Sequence, residues 1–347
     1  MTELRYAVLE LTNRCNLRCA HCASSSGVGR RDELPRSELL ALLDELSALG
    51  CREITLLGGE ALLYPAWVEM AHRVVDLGMR LILVSNGLLF TDRVFAELRG
   101  LEPHLIGISL DGATRESYAA QRGADGFHTC LGVLRRLQDE GHPNVNAITT
   151  FTRRNLSEFD ALADLFAGTG ITWQVQLANR GGRRFDRAHF LTRQDFAWLA
   201  RRMRAIYVDR RPEVRLRHMD DFGYFPLDPK LRFLHQTWHG CIAGQKLVGV
   251  RSNGDLLGCL SLGDEFVEAN VRRVRLREVW QSGQYFGRLR HKENALEGEC
   301  AACPCAAECR AGCSAIAWSA TGSLGHNTHC LRSLETEAIL DGASEQL

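Results

Sequence analysis

The chain has 347 residues, 45% of them hydrophobic, and balances 42 Lys and Arg against 42 Asp and Glu. A neutral balance gives no global field to gather nucleic acid or an anionic membrane. No run of about 18 apolar residues is present to cross a bilayer, and the N-terminus lacks the basic and apolar regions of an export signal, so a cytoplasmic protein with no nucleic-acid or membrane partner is expected.

From Arg5 to about Leu177, short β-rich runs alternate with helix-like segments. The strand candidates are Tyr6 to Leu11, Glu53 to Leu57, Leu81 to Ser85, Leu105 to Leu110, Val145 to Thr150 and Thr172 to Leu177. Between them Ser37 to Leu49, Ala66 to Leu77, Asp92 to Leu98, Thr129 to Glu140 and Leu156 to Phe166 carry apolar residues near helical spacing, several closing at glycine. Six βα-type units predict parallel strands with right-handed crossovers, a pattern that suits a closed barrel or an open doubly wound sheet. The segment from about Gly181 to Trp238 reads as less regular, its basic runs Arg180 to Arg187 and Arg201 to Arg217 as solvated surface. Only Lys230, Lys246 and Lys292 are lysines. The domain boundary is placed within Pro226 to His239, giving residues 1–235 (with 181–235 as a bridging segment) and 236–347; the length fits one large domain plus a smaller one.

Thirteen cysteines are an odd number in a long chain without an export signal, which favours metal ligation over disulfides. Cys15-x3-Cys19-x2-Cys22 follows the first strand. Protein iron–sulfur cubanes usually take four thiolates, so three at a strand end leave one iron open. Half a zinc site is the competing account, but the motif heads a βα series and Gly58-Gly59-Glu60 follows the second strand, where glycines let backbone approach a ligand. These two motifs, with His21 before the last cysteine, resemble the radical SAM superfamily.

That resemblance implies a partial (β/α)6 barrel of the TIM type. It also implies a 4Fe-4S cluster whose open iron chelates S-adenosylmethionine, and reductive cleavage to a 5′-deoxyadenosyl radical that takes hydrogen from substrate. Gly58, Gly59 and Glu60 would hold the methionine amino group. Ser85, Asn86, Ser109 and Asp111 would contact the ribose hydroxyls or the methionine moiety, and Arg122 would pair with the carboxylate. Turn chemistry accounts equally well for Asn86-Gly87 and Asp111-Gly112. Thr149, Thr150, Gln174 and Gln176 lie on strands without an assigned role.

The tail reads Cys241-x12-Gly254-x4-Cys259, Cys300-x2-Cys303-x5-Cys309-x3-Cys313 and Cys330, which resembles the SPASM extension of radical SAM enzymes. The resemblance implies two auxiliary clusters, making three 4Fe-4S clusters in all: one on Cys241, Cys259 and Cys313, the other on Cys300, Cys303, Cys309 and Cys330. No further cysteine lies within Ile242 to Gly258, so the first auxiliary site is open or is closed by His239, Asp255 or Cys305. Cys305 reads as a spare thiol, and Cys51 and Cys130 as small core residues.

The enzymes this chain resembles mostly modify peptides by cross-linking, epimerisation or oxidation. A ribosomally made peptide is therefore the expected substrate and a flavodoxin or ferredoxin the expected low-potential electron donor. Leu260 after Cys259 stands where sulfatase-maturing members carry aspartate, which counts against that chemistry. With the first cluster cysteine at residue 15, leader binding is expected to need a separate protein or the body of this one. A small-molecule dehydrogenase or epimerase acting on a sugar or amino acid derivative is the alternative, and a non-catalytic zinc or iron–sulfur module a distant one.

Overall fold

Strand β1 (Tyr6–Glu10) runs into the cysteine loop, and helix α1 (Arg36–Ala48) returns the chain to β2 (Glu53–Leu57). The unit repeats through α2 (Trp67–Asp76), β3 (Arg80–Ser85), α3 (Asp92–Leu101), β4 (Leu105–Ser109), α4 (Arg115–Arg122), α5 (Phe127–Asp139), β5 (Val145–Phe151), α6 (Phe159–Phe166) and β6 (Thr172–Leu177). The computed structural model describes residues 3–210, 213–222, 225–235 and 240–340. Each strand pairs in parallel with the next, from Tyr6↔Glu53 to Phe151↔Leu177. Every residue of β5 is buried, as a parallel strand covered on both faces requires. The strand expectations therefore hold to within a residue, and the sheet is parallel as the alternation implied.

Among the described strands and α-helices before residue 236, three were not anticipated. Helix α4 is only eight residues long, but Thr114 and Ser117 form a reciprocal capping box and Gly123 ends it with φ 81°. Helix α7 (Arg193–Asp209) crosses the segment expected to be irregular, capped by Thr192, whose side chain accepts from the Asp195 amide. Its buried Phe196, Leu199, Ala200, Met203 and Ile206 keep helical spacing beneath an arginine-rich composition. Strand β7 (Arg215–His218) then adds a seventh parallel strand beside β6.

The described residues from 240 onward do not stand apart from the sheet. Strand β8 (Leu247–Val250) pairs in parallel with β1, Tyr6 against Leu247, and β9 (Asp255–Leu257) and β10 (Ala269–Asn270) continue antiparallel, so the order is β10-β9-β8-β1-β2-β3-β4-β5-β6-β7. Glu10, at the end of β1 and 2% exposed, accepts from the Ser252 amide at 3.1 Å and hydroxyl at 2.8 Å, and pairs with Arg30 at 3.1 Å. One buried carboxylate thus ties the first strand, the loop after the cysteines and the C-terminal segment together.

Two devices hold the cysteine loop against the strand ends. The Gly59 amide donates to Thr12 O at 2.7 Å and the Glu60 amide to Arg14 O at 2.8 Å. A Cβ on Gly59 would lie 2.3 Å from Arg14 O, and one on Gly58 2.6 Å from Thr12 O. The glycine pair is therefore required by the backbone of the cysteine loop itself. The second device is Asp111, fully buried just beyond β4. Its Oδ1 accepts from the Thr150 amide at 2.7 Å, while Arg122 Nε and His21 Nε2 lie 2.6 and 3.0 Å from Oδ2. The Arg122 contact is a close charge pair rather than an aligned hydrogen bond, since neither atom satisfies hydrogen-bond geometry. Burial alone would raise the Asp111 carboxyl, but Arg122 and His21 outweigh it and hold it below the ordinary aspartate range.

Gly59→Ala should lower unfolding stability by about 1–3 kcal/mol, because the clashing atoms are backbone and cannot rotate away; Gly132→Ala, where a Cβ meets nothing on α5, is the control, and denaturant titration of both reads the difference. Asp111→Asn leaves the Arg122 charge buried without its partner and should cost about 3–5 kcal/mol. Because the carboxyl is depressed in the fold, its contribution is fully present above the unfolded aspartate value of about 3.9 and disappears as pH falls through the lower native value. Urea titrations of wild type and variant should accordingly differ at pH 7 and converge in strong acid.

Candidate active site

The carboxyl ends of β1 to β6 surround a cavity of about 250 Å3. Cys15, Cys19 and Cys22 line it from one side, and Gly58, Gly59, Ser85, Asn86 and Ser109 from the strand ends. Each sulfur faces an N–H donor: the Leu17 amide and Asn86 Nδ2 lie 3.4 and 3.8 Å from Cys15 Sγ, Arg122 Nη1 3.6 Å from Cys19 Sγ and the Ser26 amide 3.4 Å from Cys22 Sγ. Burial, followed by the neighbouring charges of Cys19, Glu60 and Cys22, pushes the Cys15 thiol up to about 11. Binding a metal would take that proton away. Three mutually close thiols with N–H donors on their sulfurs and an open cavity beside them suit a cluster with one free corner.

The expected contacts to S-adenosylmethionine divide. Ser109 lines the cavity with no side-chain partner among the described residues. Asn86 lines it too, its amide held by Asn16 Oδ1 at 2.7 Å and accepting from the Leu88 amide at 3.0 Å. The Ser85 hydroxyl donates to Glu60 at 2.7 Å and accepts from the Gly87 amide at 3.1 Å, which commits it to the turn. Glu60 and Asp111 are not on the cavity wall. The Glu60 carboxylate is 1% exposed and receives the Ser85 hydroxyl, the Asn86 amide at 2.8 Å and the Leu62 amide at 3.2 Å; Asp111 is spent on Arg122 and His21. Arg122 does reach the cavity, with its charge already answered by Asp111. Thr150 and Gln176, bonded to each other at 2.8 Å, line the cavity, whereas Thr149 binds Leu110 O and Gln174 binds Asn146.

The basic run read as solvated surface divides as well. Arg184 lines the same cavity, donating to Cys19 O and Ser25 O with Nη2 buried and unbonded. Arg180 and Arg183 line an adjoining cavity of about 300 Å3 that shares Ala23, Ser24, Leu260 and Ser261 with the first and is also lined by Trp318. Arg183 and Arg187 are exposed, as expected. Nothing in the residue types singled out Arg180 or Arg184, whose roles come from the loop that folds over the rim.

In the C-terminal part, Cys300, Cys303, Cys309 and Cys330 line one cavity of about 320 Å3. Burial first, then neighbouring thiols of the set, pushes Cys309 and Cys330 up to about 12. The Cys313 thiol is also pushed well up, by burial and then by Cys241, with Asp221 and Cys259 adding to it. Cys305 sits beside the four-thiol set, its amide 3.4 Å from Cys303 Sγ. Asp255, the first residue of β9, accepts from Asn253 just before that strand and from Asn270 on β10. His239, the other candidate, lies outside the described residues. Cys51 and Cys130 are buried core residues.

Residues 9–166 match the radical SAM superfamily and residues 241–304 an iron–sulfur cluster-binding domain of the SPASM type. The AdoMet-dependent heme synthase of Methanosarcina barkeri is 30% identical over 94% of this chain and 96% of its own length. Mycofactocin maturase MftC of Mycobacterium tuberculosis is 29% identical over 88% of this chain and 77% of its own. Among solved structures, Streptococcus suis SuiB bound to precursor peptide SuiA superposes with a TM-score of 0.77 at 16% identity, covering 96% of this chain and 76% of that one. The anSMEcpe structure with bound AdoMet gives 0.74 at 17% identity, covering 99% and 100%. The chain is a radical SAM enzyme with a SPASM iron–sulfur domain and belongs to that superfamily.

Proposed function

We propose that this enzyme is an oxidoreductase-type radical SAM protein that modifies an unactivated C–H position of a ribosomally made peptide. The observation that carries the reading is the rim cavity, which Cys15, Cys19 and Cys22 line together with Gly58, Gly59, Asn86 and Ser109 and which shares part of its lining with a second, arginine-lined cavity. Cys15, Cys19 and Cys22 would hold the cluster, which with S-adenosylmethionine bound would supply a 5′-deoxyadenosyl radical able to take a hydrogen atom from substrate. The protein's part is to hold the sulfurs with N–H donors, to present Ser109 and Asn86 to the ligand, and to seat substrate beneath Trp318 and the Arg180–Arg183 loop. Cys241, Cys259 and Cys313 would hold one auxiliary cluster and Cys300, Cys303, Cys309 and Cys330 the other, in a chain of two domains meeting near residue 235. A low-potential flavodoxin or ferredoxin would supply the electron, and a separate leader-binding protein could present the peptide.

Peptide substrates are supported by the maturase relative and by the neighbour whose structure holds a precursor peptide. A second reading is favoured by a specific observation: a relative that spans nearly all of both chains is a heme synthase, and Arg180 and Arg183 line the adjoining cavity with no carboxylate partner among the described residues. On that reading the substrate is a small molecule bearing carboxylates, such as a porphyrin.

Anaerobically reconstituted protein should bind about twelve irons, as three cubanes require, and release 5′-deoxyadenosine from S-adenosylmethionine under a low-potential reductant. Cys19→Ala should keep about eight irons and release no deoxyadenosine. Zinc in place of iron, with no cleavage by wild type, would overturn the reading. Mass spectrometry of a peptide encoded beside the gene, against chromatography of a propionate-bearing iron porphyrin, separates the two substrates.

A further inference from the structure

Of the three lysines in the chain, Lys230 and Lys246 are exposed and Lys292 is 1% exposed. A fully buried lysine is rare and normally pairs with a carboxylate. Lys292 has no such partner among the described residues. Its Nζ donates to Gly312 O at 2.8 Å and to Ser314 Oγ at 3.2 Å, and the Ser314 hydroxyl in turn donates to Cys241 Sγ at 3.3 Å. The negative groups around it are sulfurs. Burial drives the ammonium towards neutrality, while Cys241, Cys313 and Cys309 oppose that, drawing on both sets of thiols. Arg310 adds a second cation nearby, donating to Cys241 O at 3.5 Å.

An uncompensated ammonium in the interior costs several kcal/mol, so the site makes physical sense only with negative charge beside it, and thiolates bound to iron provide that charge. A cation next to an iron–sulfur centre favours its reduced, more negative form. We propose that Lys292, acting through Ser314, is a positioning residue that raises the reduction potential of the auxiliary cluster held by Cys241, Cys259 and Cys313. This rests on the auxiliary-cluster reading above. No step is added to the reaction, because the cluster takes up the same single electron with or without the lysine.

The test uses the full-length chain with Cys15, Cys19 and Cys22 replaced by alanine, so that only auxiliary signals remain, and follows them by paramagnetic resonance during an anaerobic redox titration, with iron content measured alongside. Lys292→Met removes charge and donor; Lys292→Gln keeps a donor and removes only the charge; Lys292→Arg keeps the charge. The first two should make reduction of one auxiliary cluster at least tenfold less favourable, equivalent to about 59 mV for one electron, while Lys292→Arg stays within threefold of the parent. Full iron content with less than a twofold change in Lys292→Gln and Lys292→Met would overturn the proposal, since a lysine serving only as a hydrogen-bond anchor predicts that result for the glutamine. If both variants lose iron, Ser314→Ala decides: a less favourable reduction supports the relay and an unchanged one refutes it. A parent protein that binds no iron would defeat the auxiliary-cluster reading itself, a result distinct from a cluster that is present with an unshifted potential.

Discussion

A carboxylate with no access to water organises the catalytic rim. Asp111 sits where β4 ends, and its charge is tolerable only because Arg122, His21 and the Thr150 amide answer it. Those partners come from the end of α4, from inside the cysteine motif and from β5. Satisfying one buried charge therefore fixes three separate segments relative to one another, and it turns Arg122 so that Nη1 faces Cys19 Sγ. The preorganisation that radical chemistry needs is in this way built from electrostatics beneath the cavity rather than on its wall.

The same economy operates at the β1 edge. Parallel pairing of β8 with β1 carries the C-terminal segment to the strand from which the cysteine loop departs, and Glu10 locks the junction by accepting from Ser252 and Arg30. The consequence is chemical as much as architectural. Leu260 and Ser261, beside the C-terminal Cys259, lie on the wall shared by the rim cavity and the adjoining one, so the cysteine-rich segment helps to shape both cavities.

Much of the site was legible because its signals are local. Cys15, Cys19, Cys22, Gly58, Gly59, Asn86 and Ser109 follow strand ends in sequence, and parallel strands must bring their carboxyl ends to one rim. Glu60 and Asp111 were legible as motif members but not in their roles: a carboxylate after a strand reads as a ligand contact, and only packing reveals that its lone pairs are already taken by Ser85 and Asn86 or by Arg122 and His21. Arg180 and Arg184 were hidden by composition, as one arginine in a basic run looks like another until the loop closes over the rim. Lys292 was invisible for the opposite reason, since a lone lysine reads as surface.

The sequence by itself determined the alternation of strands and helices, the parallel sheet and the membership in the superfamily, because each of these depends on residue type and short-range spacing. Only the tertiary structure decided which polar side chains remain free to meet a ligand, that α7 and β7 extend the barrel, and that a lysine lies buried among sulfurs. Those outcomes turn on long-range contacts and desolvation, which depend on every segment packed around a group, and no local pattern carries that information.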